Sequence, residues 1–294
     1  MNSNFIQFKK ERDLGAIISD CFNFIRLNWK GYFGTIFRIA GPSLIVLIVA
    51  LGFYMYSLGG FVELGISGNF QDVSDGNFIG IALSLAVAFI SGIVFYVLTQ
   101  LSSMYYIRMY IANKGEGIID SKEVYKLVID KFWSFLGFGI TMIILVMLGT
   151  MLCILPGIYL GVVLSLGIPI MVFENKGIGD TLSHCFRLIK EHWWETFGIM
   201  FVVGLLVGII GQAFSVPNLI YYFFKIGTSA MDNDPTAILD IFSDPIYLAL
   251  LAFGYIGQFF LSTITYLSNV FIYFDLNEQK NMTGTLESID SLGA

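Results

Sequence analysis

The chain alternates between long stretches without charge and shorter stretches that carry nearly all of it. Residues 78–107, 132–173, 196–224 and 245–274 contain no Asp, Glu, Lys or Arg. A helix needs ~20 apolar residues to cross a ~30 Å hydrocarbon layer. The pattern therefore predicts six membrane-spanning helices, at roughly 33–58, 78–107, 133–155, 157–173, 195–222 and 246–274. The 132–173 window holds two of them. Leu155-Pro156-Gly157 is the expected divide, because proline lacks an amide donor and glycine accepts the dihedrals of a tight hairpin.

A different period governs three segments before spans. In residues 14–29, Leu14, Ile17, Ile18, Cys21, Ile25 and Trp29 recur at helical spacing. Ser19, Asp20, Asn23, Arg26 and Lys30 fall opposite. In residues 178–193, Ile178, Leu182, Cys185, Ile189 and Trp193 oppose Arg187 and Lys190. Such helices can lie on a membrane, apolar face in lipid and charges in the cytosol, with an indole at the boundary. The expectation is a surface-lying helix over 14–28, 121–132 and 178–192.

Two of these segments match residue for residue at an interval of 164. Cys21, Phe22, Ile25, Arg26, Trp29, Phe33 and Gly34 answer Cys185, Phe186, Ile189, Lys190, Trp193, Phe197 and Gly198. A third copy, offset by 103, begins at Asp120 and Glu123, which have capping-box spacing. It sets Phe132 against Trp29 and Gly137 against Gly34. The whole reads as three units, at about 13–112, 113–173 and 174–280 with a short tail over 281–294, each an amphipathic helix followed by a two-span hairpin. The plainer alternative is that any loop entering a membrane acquires an aromatic–basic boundary.

Composition agrees with a membrane setting: 56% hydrophobic, 13% charged, mean hydropathy +0.76. A soluble domain carries about a quarter charged residues. Of the sixteen basic residues, all but Lys225 fall on one side of the predicted spans, which sets that side in the cytoplasm with both termini. The opening "MNSNFIQFKK" has no apolar core and no small-residue cleavage site, so the first span is expected to act as an uncleaved anchor. Cys21, Cys153 and Cys185 form no dense framework and are expected as free thiols. Asp234 and Pro235 mark a short outer helix over "DPTAILDIF".

Candidate chemistry is sparse. No span holds a deep ionisable residue, where proton and ion relays are usually placed. Gln212, Gln258 and Asn269 suit hydrogen bonds between helices. His184 and His192, with Cys185, lack ligand spacing on one helix face, and "DND" lacks the rest of a calcium loop. "NMT" at 281–283 matches a glycosylation sequon on the cytoplasmic side, where it should be inert. Small-residue stripes at Gly80, Ser84, Ala88 and Gly92, at Gly157, Gly161 and Ser165, and at Gly204 and Gly208 suit close helix packing within the chain. No catalytic, cofactor or metal residue is assigned, and an enzyme is not expected.

The stretch "LPGIYLGVVLSLGIPIMVFENKGIGDTLSHCFRLIKEHWWETFGI" resembles the glycerophosphoryl-diester-phosphodiesterase membrane domain of bacteria and its related multi-span proteins. There, a Pro-Gly hairpin precedes a span ending in Pro and Glu-Asn, then an amphipathic helix with Phe-x-Leu and Trp. The matching residues here are Pro156, Gly157, Pro169, Glu174, Asn175, Phe186, Leu188 and Trp193. "FIYFDLNEQKNMTGTLESIDSLG" is similar to that family's ending. The resemblance covers most of residues 150–293. It implies a fold and an inner-membrane address; the phosphodiesterase activity belongs to a soluble domain for which these residues leave no room.

Two functions compete. One is a non-catalytic scaffold or subunit of an envelope complex, docking partners or lipids through Arg26, Lys30, Arg187 and Lys190. The other is a permease or lipid-handling protein with a pathway between the repeats. Membrane lipids and other envelope or membrane proteins are the expected partners, and nucleic acid is not. The topology has a direct check: with Cys153 replaced by serine, an impermeant thiol reagent added outside should label a cysteine placed at Asn69 and spare one at Asn281. The reverse labelling would overturn it.

Overall fold

The computed structural model describes residues 5–66, 75–231, 241, 244–284 and 286; the helix expected over 234–242 lies almost wholly outside these. The described elements are α1 (Leu14–Ile66), α2 (Asp75–Ala112), α3 (Ser121–Leu152), α4 (Ile154–Ser165), α5 (Gly167–Glu174), α6 (Ile178–Ile189), α7 (Trp193–Met231) and α8 (Pro245–Asn281). Six helical segments are long and apolar enough to cross a membrane: Leu14–Gly60, Phe78–Ala112, Ser121–Leu152, Ile154–Glu174, Trp193–Thr228 and Pro245–Asn281. This is an all-α, multi-pass membrane protein.

The expected surface helices are helical, but two of them are not separate elements. Residues 14–28 run straight into the first span as part of the 53-residue α1, and 121–132 run into α3. No proline interrupts α1 before Pro42, and single glycines such as Gly31 cost a helix only about 1 kcal/mol. Only α6 is detached. There Lys190 leaves the helix (φ −53°, ψ 128°) and Glu191 takes φ 80°, a left-handed conformation that ends one helix before α7 begins.

The apolar stripes also face differently from the expectation. Ile17, Cys21 and Phe24 are fully buried in protein, and so are Thr181 and Cys185 on α6. Protein thus covers Ile17, Cys21 and Cys185, whereas Trp29 at the end of the first stripe is exposed. The exposed side of α1 is mixed, with Phe22, Leu27 and Trp29 beside Arg26 and Lys30.

The hairpin break lies earlier than Leu155-Pro156-Gly157. α3 ends at Leu152, Cys153 is extended (φ −169°, ψ 152°), and α4 starts at Ile154. Pro156 then sits in the first turn of α4, where its missing N–H is not needed. Leu166 interrupts the fourth span between α4 and α5, because Pro169 cannot donate to the carbonyl four residues back. Two contacts, Tyr159 with Trp193 and Ser165 with Met200, advance in the same sense along α4 and α7. α4 and the start of α7 are thus not the antiparallel neighbours that strict up-and-down threading would produce.

Close approach between helices occurs at only part of the small-residue pattern. A side chain on Gly157 would meet Thr150, one on Gly167 would overlap the Phe138 ring, and Gly211 and Gly257 lie against Gln258 and Phe214. Gly80, Gly161, Gly204 and Gly208 face open space. Gln212 is exposed, and Asn269 is buried with its Oδ1 unpartnered.

The chain divides into two compact units. Residues 40–96 and 208–262 form one. In it Leu47 approaches Gly92, and Phe214 packs against Phe253 (5.7 Å). Asp244 caps α8 by accepting from the Ile246 N–H at 2.8 Å, with Pro245 at the first helical position. The Tyr221 hydroxyl (2.6 Å) and Lys225 (3.0 Å) hold the Asp244 carboxyl down at about 2. Lys225, the one basic residue that the sequence pattern sets apart from the others, is thereby tied to a helix cap.

Residues 1–39, 97–207 and 263–294 form the other unit. Here α2 is buried at every position from Leu98 to Ile107, and α8 from Tyr266 to Leu276. A helix apolar and buried all round is a core element. The inner parts of the 78–107 and 245–274 windows are therefore enclosed by protein.

Gly167→Ala should destabilise the protein by about 1–3 kcal/mol, because its methyl must displace the Phe138 ring in a packed core. Thermal unfolding in detergent measures this, and Phe138→Ala in the same chain should recover part of the loss. A G167A protein as stable as wild type would show that the α3–α5 contact is loose.

Candidate functional site

The C-terminal part of α8 is the meeting point of two polar clusters. The first is built by the segment before α1. Phe8 stacks on Phe271 (4.7 Å, 8°) and meets Phe24, Tyr110 and Phe274 edge-on at 5.9, 6.2 and 5.9 Å. This aromatic seat places Arg12, whose side chain is fully buried, with its guanidinium 4.6 Å above the Phe271 ring. Its Nε donates to Asp20 at 2.9 Å, and its remaining donors go to the carbonyls of Gln7, Phe8 and Lys10. The Arg12 backbone N–H donates to Asp275 Oδ1 at 2.7 Å, and Gln279 donates to the other oxygen at 3.1 Å. Burial lowers the guanidinium pKa, and the hydrogen bond and charge of Asp20 oppose that shift.

Sequence reasoning counted Arg12 only as a topological charge and missed this network. The one available signal was Asp275, a carboxylate at the end of an uncharged run with no partner nearby in sequence.

The second cluster gathers at the end of α5. Asn175 closes that helix in the left-handed region (φ 56°, ψ 32°), a conformation asparagine tolerates, and turns the chain toward α6. Arg108 donates to the Val172 carbonyl (2.9 Å), where a cation suits a helix C-terminus. Phe173 stacks on Tyr273 (5.7 Å, 12°), and the Tyr273 hydroxyl donates to Glu174 Oε1 at 2.9 Å. Glu174 Oε2 pairs with Lys176 and lies 3.2 Å from His184 Nδ1. Lys176 and Arg187 (3.3 Å) approach the same ring nitrogen. Burial comes first in lowering the His184 pKa; Lys176, Arg187 and Lys280 add to it and Glu174 resists. Lys280 donates to the carbonyls of Arg187 (2.6 Å) and Lys190 (3.1 Å), capping the C-terminal end of α6.

The four candidate contact residues are not brought together into one pocket. Arg26 is exposed and makes no hydrogen bond or ion pair among the described residues, and Lys30 rests over the Trp29 ring at 5.6 Å. Arg187 is exposed with its one side-chain contact to His184, and Lys190 is exposed beyond α6. His192 pairs with Glu195 (3.4 Å), away from His184. Cys21, Cys153 and Cys185 are free thiols; burial pushes Cys185 up to about 12 and makes it unreactive.

The chain matches no protein-family profile, no curated protein and no solved structure. Its functional reading therefore rests on the geometry above.

The His184 shift fixes a pH dependence. An unfolded histidine titrates near ~6.5 and the folded one below it, so acidification protonates the unfolded chain first. The His184 contribution is complete above about pH 6.5 and is lost as pH falls through the folded value. The thermal midpoint in detergent should drop between about pH 7.5 and 5.5, and His184→Gln should remove that part of the drop. An identical drop in the variant would assign it elsewhere.

Proposed function

We propose that the protein is a non-catalytic scaffold or subunit of an envelope complex in the bacterial inner membrane, with both termini cytoplasmic. It requires no cofactor. The observation that carries this reading is the division of its basic residues. Arg12, Arg38 and Arg108 are engaged by internal hydrogen bonds. Arg26, Lys30, Arg187 and Lys190 stay exposed, beside Phe22, Trp29 and Phe186. A mixed basic and aromatic face of this kind suits a headgroup layer or an acidic partner surface.

The repeated positions support the same reading. Cys21 and Cys185 are both buried, Phe22 and Phe186 both exposed, and Arg26 and Lys190 both exposed. An internal repeat would give the chain two equivalent contact faces. The resemblance to the phosphodiesterase membrane domain agrees with an inner-membrane role.

A specific observation favours a permease or lipid-handling role as the second reading. Thr99, Ser102, Thr196 and Asn269 are buried in the unit that holds the C-terminal part of α8, each with a polar atom that no group among the described residues satisfies. Buried polar groups normally find a partner. A neutral polar substrate passing through would supply one.

Pull-down in detergent separates the two. Arg26→Gln with Lys30→Gln, or Arg187→Gln with Lys190→Gln, should lower partner recovery about tenfold. Thermal stability should stay nearly unchanged, since exposed charges contribute only about 0–1 kcal/mol. Recovery that ignores these residues, or the absence of any co-purifying chain, would remove the scaffold reading and favour the permease.

A further inference from the structure

Arg12 and Lys176 are separated by the same 164 residues as Cys21 and Cys185, and so are Asp20 and His184. In both places the cation reaches a side chain eight positions on, Arg12 to Asp20 and Lys176 to His184. The charge balance differs. Around Arg12, two basic residues, Lys10 and Arg12, face two carboxylates, Asp20 and Asp275, and the guanidinium is sealed from the outside. Around Lys176, a histidine stands where the aspartate would be. Three basic residues, Lys176, Arg187 and Lys280, then gather with His184 around one carboxylate, Glu174, which is shared with Tyr273. Asp180 and Glu191, the other acids of this segment, are exposed and make no ion pair with the cluster among the described residues.

The cluster also has donors to spare. Arg187 uses one of its five N–H groups on His184, and Lys280 uses two of three on carbonyls. Lys176, at 29% side-chain exposure, remains reachable. Phosphate is the anion whose geometry suits an arginine fork flanked by lysines. Apolar surface adjoins the charge: Phe186 is exposed next to Arg187, and Trp194 is exposed where α7 begins, 4.7 Å from Trp193. A free anion has no use for that surface, whereas acyl chains do.

We propose that Lys176, Arg187 and Lys280, grouped around His184, bind the phosphate of an anionic phospholipid headgroup. The proposal rests on the reading of Arg187 as a contact residue and narrows it to one ligand chemistry. Glu174 keeps the empty site from excessive self-repulsion, and Tyr273 holds that carboxylate in place on α8.

The test uses full-length, delipidated protein in detergent, titrated with short-chain phosphatidylglycerol, short-chain phosphatidylcholine or inorganic phosphate. Tryptophan fluorescence reports binding. Phosphatidylglycerol should bind about tenfold more tightly than phosphatidylcholine, and Arg187→Gln should weaken it about fivefold. Arg187→Lys, which keeps the charge and loses the fork, should recover only part of the affinity. Lys122→Gln with Lys126→Gln, which removes two exposed charges elsewhere, should leave it unchanged. Arg187 is exposed, so its substitution tests binding without threatening the fold. Equal binding of the two lipids, or wild-type affinity in R187Q, would overturn the proposal. Inorganic phosphate binding as tightly as phosphatidylglycerol would overturn the lipid assignment. No partner protein enters this titration, so its failure leaves the pull-down result standing, and the reverse holds equally.

Discussion

Enclosure of α8 is the constraint on which the larger unit depends. From Tyr266 to Leu276 every residue is buried, three full turns with neither water nor lipid on any side. Such a stretch must find a protein partner for each polar group it carries. Tyr273 finds Glu174, Asp275 finds the Arg12 backbone and Gln279, and the Glu278 carboxylate accepts from Thr283 and Gly284. The segment before α1 and the α5–α6 turn are thus bound to the same helix from different parts of the chain. Asn269 is the exception, with an oxygen left unpaired.

The same constraint explains how charge is distributed. A buried guanidinium costs several kcal/mol unless its donors are satisfied, and Arg12 is surrounded by acceptors accordingly. The second cluster, at the rim of the unit, bears no such demand and can keep an excess of cations. Burial therefore decides which basic residues become structure and which remain available to something outside the chain. Tyr32 shows the neutral version of the rule, its hydroxyl meeting Ser103 at 2.5 Å inside the core.

Much of the architecture was legible because hydrophobic length is a coarse, robust signal. The six apolar segments and the helicity of 14–28, 121–132 and 178–189 follow from charge-free runs and 3.6-residue spacing. What sequence could not separate is lipid from protein as the cover of an apolar face, since both accept Ile17 or Cys21 equally well. Nor could it tell that Leu98–Ile107 are enclosed while Phe78, Ile79 and Phe89 are exposed. Breaks were harder still. Pro156 drew attention to itself, yet the turn fell at Cys153, because a proline in the first turn of a helix disturbs nothing. Of the candidate contact residues, the exposure of Arg26, Lys30, Arg187 and Lys190 followed from the pattern. The network at Arg12 did not, because its partners come from opposite ends of the chain.

The placement of the cysteines has a practical side. Two thiols are sealed in the core, and the third, Cys153, stands exposed at the turn between α3 and α4. The unaltered chain therefore carries a single addressable attachment point, at a position of known geometry. A fluorophore or spin label coupled there would report the depth of that turn in a bilayer, and a second label would give its distance to any other chosen position. Motions of the α3–α4 hairpin could then be followed without first removing native cysteines.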